Sequence, residues 1–380
     1  MKIKKNFSGS EKMFESHFKK SLKNFTIVAA FMLTIIFSAG SAFAKTDTLR
    51  ICSKNSEAFL YINVSALKNF LDTNKSLSAL KKPVEKIKEL TSVDVLKEIN
   101  SFVATLNGLS NLAYAKNPDG VFIFEGYFRT AEIEKKLTAG GIKPEVFSGV
   151  NLFKIDEDVF LAVPSEKFLL YGNSSEVRTV IDLISAKNSE SLDADEFFKN
   201  EVNSPENKNA NVMMCIKIPK VISAMANSVA KVNSDQAMFS NLKGLSFSAS
   251  GSSMNFKYKY ETKNDAAKSV DAAKDFMEKG FSQLASGSQK LKEADIDKTK
   301  VNAGRLNFVK SGIKLLLKLR TAMKIEARDS DLFLRFDLAS ANAEMLEFLN
   351  ATTDSFLAAV SGKTADKPAD PKQPAAGSAN

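Results

Sequence analysis

Few side chains in this 380-residue chain are equipped for nucleophilic or metal chemistry. It has one histidine, His17, and two cysteines, Cys52 and Cys215, and it lacks tryptophan. Serine or cysteine hydrolysis needs an imidazole or an equivalent base beside the nucleophile. Zinc and copper centres built on histidine need several imidazoles, and two cysteines cannot form a four-cysteine site. No phosphate-cradling Gly-x-x-x-x-Gly-Lys-Ser/Thr loop occurs, nor a Gly-x-Gly-x-x-Gly turn. What remains is carboxylate, lysine or tyrosine chemistry, and no cofactor is implied.

The position of His17 sharpens the point. Seven lysines and two glutamates fill residues 1 to 24, and the uncharged stretch Phe25 to Ala44 follows. Its most apolar part, Phe25 to Phe37, has the length of a signal-peptide core, and Ala42 and Ala44 form an Ala-x-Ala cleavage site before Lys45. The alternative is an uncleaved anchor, weakened by Ser38, Gly40 and Ser41. A leader starting at Met13 would have a more ordinary length. Cleavage after Ala44 would remove the only imidazole with seven basic and two acidic residues. It would leave 46 basic and 42 acidic groups, a net charge of about +4 instead of +9. A basic balance that belongs mostly to a targeting segment gives little reason to expect a nucleic-acid partner. The expected location is outside the cytoplasm, periplasmic or extracellular.

In such a compartment Cys52 and Cys215 could form a disulfide. It would close a loop of about 160 residues, a constraint on the order of 5 kcal/mol in the chain-entropy model. The alternative is two buried thiols, because Cys215 sits in the apolar run Val212 to Ile216. The acidic groups Asp156-Glu157-Asp158 and Asp193, Asp195 and Glu196 lack the spacing of a calcium loop. The first reads as a hairpin turn between Leu152 to Ile155 and Val159 to Val163.

The richest charged pattern is basic. From Lys298 to Ile325 there are eight basic residues and no acidic one. If Val309 to Met323 is helical, Lys310, Lys314 and Lys318 share a stripe beside the apolar residues Val309, Ile313, Leu316 and Leu317. Such a helix can rest on an anionic surface such as phospholipid head groups. The alternative is a core helix with solvated lysines. Ala303 to Phe308 resembles the strand-like Ser148 to Phe153, which would delay the helix start until after Gly312.

The elements that must position these residues show a duplicated pattern. Phe59 to Leu71 reads as a strand entering a helix with Ser65 as its N-cap, and Met213 to Met225 repeats it, with Pro219 in the first helical turn. Ile62, Val64 and Leu67 match Ile216, Ile218 and Val221. Leu109 to Phe124, turning at Asn117 to Gly120, and Leu242 to Phe256, turning at Ser250 to Ser253, read as matching hairpins. A helix follows each, Thr130 to Leu137 and Asp265 to about Leu284. Lys167 to Gly172 then precedes the helix Ser175 to Ile184, as Asp331 to Phe336 precedes Asn342 to Leu349. Ile87, Leu90, Leu96, Ile99, Phe102 and Leu106 recur at helical spacing as an insert in the first half.

The expectation is an α+β protein of two similar halves, each an antiparallel sheet with helices on one face. The divisions are a cleavable signal peptide (1–44), a first repeat (45–190), a linker (191–211), a second repeat (212–360) and a disordered tail (361–380). The missing catalytic inventory points to an exported, non-enzymatic cell-envelope protein acting by binding or scaffolding. Its expected partners are an anionic membrane surface or another envelope protein. An exported carboxylate-dependent hydrolase such as a glycosidase is the alternative, since that chemistry needs no histidine.

Overall fold

The computed structural model describes residues 45–66, 68, 94–114, 118–186, 190–232, 238–251, 253–293, 303–341, 343–345, 347–348 and 351. The expected leader with Ala42 and Ala44, the insert residues Ile87 and Leu90, and the tail from 361 lie outside them. The chain is α+β, built on one continuous antiparallel sheet of 12 strands.

In chain order, α1 (Lys45–Leu49) leads into β1 (Ala58–Asn63). Then come α2 (Val95–Glu98), β2 (Ile99–Asn107), β3 (Asp119–Gly126) and α3 (Thr130–Ala139). β4 (Pro144–Phe147), β5 (Val150–Asp156), β6 (Val159–Ser165) and β7 (Phe168–Asn173) precede α4 (Ser174–Ile184) and α5 (Glu196–Val202). β8 (Val212–Lys217), α6 (Lys220–Val232), β9 (Leu242–Ser250) and β10 (Ser253–Tyr260) follow. The helical pair α7 (Lys263–Glu293) and α8 (Ala303–Thr321) then leads to β11 (Met323–Arg328) and β12 (Asp331–Asp337).

The spatial order is β11-β12-β10-β9-β8-β1-β2-β3-β7-β6-β5-β4. The junction is informative. Matching Ile62 to Ile216 places Leu60 on Met214, and these two residues face each other in the β1–β8 ladder. From that pair, β1-β2-β3-β7-β6 and β8-β9-β10-β12-β11 run outward in the same succession, and β5 and β4 extend the first series. Following the register outward from Leu60 gives Ala104, Phe122, Tyr171 and Leu161. From Met214 it gives Phe247, Phe256, Leu334 and Ile325.

Alternation along each strand sends successive side chains to opposite faces, and each face builds its own core. On the front, Ile62, Val212, Leu332 and Leu334 meet Ala266 and Ala273 of α7 and Leu315 and Leu319 of α8. On the back, Phe59, Tyr61, Val103 and Met213 meet Val177, Val180 and Ile181 of α4 and Phe198 and Val202 of α5. The expectation of helices on one face is therefore corrected: the strands join in one sheet, and helices cover both of its faces.

Three local expectations also change. Ile99, Phe102 and Leu106 lie on β2 and not on a helix, and Leu109–Tyr114 is a short 3-10 segment, so the first hairpin is β2–β3. α8 starts at Ala303, so the strand-like Ala303 to Phe308 is its first turns. The turn after β1 is capped by Asn63, not Ser65: its side-chain oxygen accepts from the Ala66 N–H at 3.1 Å. The connecting segment 191–211 carries α5 around Phe197, and its Leu192 and Phe198 are fully buried.

Candidate functional site

Burial chooses which side of α8 faces inward. Ser311, Leu315 and Leu319 are the buried positions, and the hydroxyl of Ser311 donates to the Asn307 carbonyl at 2.8 Å, so a polar residue is accommodated there. Gly312 lies under the Phe348 ring, where a Cβ would make a tight contact. The apolar stripe beside the lysines is consequently divided between solvent and core. Val309 and Leu316 are each 42% exposed, while Ile313 and Leu317 are half-buried. Lys310, Lys314 and Lys318 are exposed on the same helix.

Two cations of α8 have protein partners. Lys314 contacts Glu347 at 2.5 Å, a hydrogen bond that raises its pKa, and Arg320 pairs with Glu278 of α7. Lys310 and Lys318 make no ion pair among the described residues. α8 thus combines uncompensated positive charge with exposed apolar side chains, the two properties that adsorb a helix to an anionic interface.

A second charged region lies on the back of β10, β11 and β12. Glu201 of α5 is 1% exposed, and it accepts from the Ser246 hydroxyl and the Lys257 ammonium, each at 2.8 Å. Lys257 also contacts Asp331 at 3.3 Å. Burial alone would lower the Lys257 pKa, but Glu201 and Asp331 outweigh it and hold the ammonium above its ordinary value. Arg335 reaches Glu206 at 3.2 Å, and Lys257, Arg328 and Arg335 surround the Phe333 ring. Each of these cations also meets a carboxylate, so the arrangement clasps α5 and the segment after it to the second half.

Sequence reasoning missed this clasp. Its signal was the alternation Phe256-Lys257-Tyr258-Lys259-Tyr260, which puts aromatics on one face and cations on the other. The acidic groups that were noticed have structural work. Asp156 accepts from the Glu157 N–H in the β5–β6 turn, and Asp158 accepts from Asn173. Asp195 caps α5 through the Phe197 N–H and pairs with Lys217 at 2.6 Å.

Of the two arrangements open to Cys52 and Cys215, a bridge or two buried thiols, the structure shows the second: both are free and fully buried in the back core. Cys52 donates to the Thr48 carbonyl at 3.1 Å, and burial pushes its thiol pKa up, which leaves little reactive thiolate. Lys45, the residue after the expected cleavage site, opens α1.

Another buried carboxylate, Glu176 at the start of α4, accepts from Asn107 at 3.3 Å, while its second oxygen has no partner. Burial raises its pKa, Asn107 opposes the shift, and Asp119 adds to it. Among the described residues no three of His, Cys, Asp and Glu are grouped to hold a metal ion, and no helix is long and apolar enough to cross a membrane.

No protein-family model matches the chain, and no curated protein does. Among solved structures, crystal form I of TP0453 aligns with a TM-score of 0.37 at 12% identity, over 83% of this chain and 99% of that one. Aspartate kinase from Synechocystis aligns with a TM-score of 0.17 at 10% identity, over 84% of this chain and 58% of the enzyme. Neither likeness is close enough to carry an argument about this protein.

Proposed function

We propose that this is an exported, non-enzymatic protein of the cell envelope, made of two α+β repeats and adsorbed to an anionic membrane surface through α8. The observation carrying this reading is the solvent side of that helix, where Val309 and Leu316 are 42% exposed on the side adjacent to the exposed stripe of Lys310, Lys314 and Lys318. Lys310 and Lys318, which have no ion-pair partner among the described residues, supply attraction of about 1 kcal/mol each near a charged leaflet, Lys314 adds to it once freed from Glu347, and the apolar side chains enter the boundary between head groups and acyl chains. Export rests on the lysine-rich start, the apolar run and the Ala42-Phe43-Ala44 site.

Co-sedimentation with vesicles tests it. Binding should need anionic lipid and weaken as salt screens the lysines. Replacing Lys310, Lys314 and Lys318 together by Glu should weaken binding by on the order of 100-fold or more. Undiminished binding by that variant would remove the proposal.

A further inference from the structure

The segment that follows β12 lies against α8. After its last strand the chain makes a 3-10 turn, Ala339–Ala341, that packs on this helix, and helical residues come next. Met345 and Phe348 are buried there, and the Phe348 ring sits 5.2 Å from that of Phe308 and covers Gly312. Glu347 is exposed beside them. Its carboxylate meets the Lys314 ammonium at 2.5 Å, and Glu344 adds to the negative field at the same lysine.

Lys314 is the middle cation of the stripe. Among the described residues Lys310 and Lys318, one turn to either side, make no ion pair, whereas Lys314 is already taken. Its side chain and that of Glu347 are 58% and 51% exposed, and a pair so open to water is weak and exchanges readily. A phosphate offers an ammonium the same kind of charged oxygen acceptor that a carboxylate does. The buried Met345 and Phe348 keep the segment seated while the pair opens.

We propose that the segment after β12 is a built-in brake on adsorption through α8, in which Glu347 and a lipid phosphate compete for Lys314. The inference rests on the adsorption reading and adds its regulation. Because one ammonium serves both partners, Glu347 weakens lipid binding, and lipid loosens the hold of the segment by the same factor.

A double-mutant cycle in the full chain tests the competition, with co-sedimentation on vesicles of phosphatidylglycerol and phosphatidylcholine as the readout. Glu347→Gln should tighten binding by about two- to fivefold, the range an exposed pair spans. In a Lys314→Gln background the same substitution should bring no gain, whereas mere removal of a negative charge would help equally in both. Hydrogen exchange supplies the reciprocal measurement. Amides from Ala339 to Phe348 should exchange faster when vesicles are added to the unaltered chain, and in Glu347→Gln they should be fast already without lipid. No gain from Glu347→Gln, an equal gain in the Lys314→Gln background, or exchange that lipid leaves unchanged would overturn the proposal. Failure of the unaltered chain to bind anionic vesicles overturns the adsorption reading as well, while binding without the gain overturns the brake alone.

Discussion

Glu201 and Glu176 are both almost wholly buried on the back of the same sheet, each delivered by a helix, yet their surroundings differ. Glu201 meets a cation and a hydroxyl, so its charge is balanced inside the fold. Glu176 meets one neutral amide, with Asp119 near enough to oppose ionisation. A buried carboxylate fastens two segments when its partner is a cation, and holds its proton more tightly when it is not.

Removing the cation should have the largest effect. Lys257→Met leaves the buried Glu201 with only the more distant Lys259, at 3.9 Å, as counter-charge, and urea denaturation should show a loss of about 3 kcal/mol. Adding Glu201→Leu to that variant should restore much of the loss. If Lys257→Met alone is neutral, the clasp is ornamental and the contrast collapses.

A smaller effect tests how closely α5 is seated. Gly244 leaves room for the Phe197 ring, and a Cβ there would overlap it. Gly244→Ala should cost about 1–3 kcal/mol through overpacking, read as a lower thermal midpoint. Full stability would mean that Phe197 can move aside.

The smallest effect has the opposite sign. The folded chain holds the Glu176 proton more tightly than the unfolded chain does. The stabilisation this brings is complete below the ordinary carboxylate pKa and is lost as pH rises through the raised one. Glu176→Gln should remove that dependence and make the protein more stable at pH 7, measured by denaturation at several pH values. A less stable Gln variant would show that the carboxylate is needed ionised.

Legibility in the sequence followed the same physics. β9, β10 and β12 show in the alternation of their residues, because each has one apolar and one polar face. β2 is apolar or small on both faces, so Ile99, Phe102 and Leu106 could equally belong to a helix, and only pairing with β1 and β3 decides. α8 is apolar on two sides, and its spacing alone could not say that Leu315 and Leu319 would be chosen over Val309 and Leu316. The Glu201–Lys257 contact joins positions 56 residues apart, beyond any local pattern.

The meeting of β1 with β8 has a consequence for biosynthesis. A ribosome finishes every strand from β1 to β7 before β8 exists, so one border of the nascent first half waits with its hydrogen-bonding groups unmatched. Until Val212–Lys217 emerges and zips against it, that border is the place where a neighbouring nascent chain could pair in its stead.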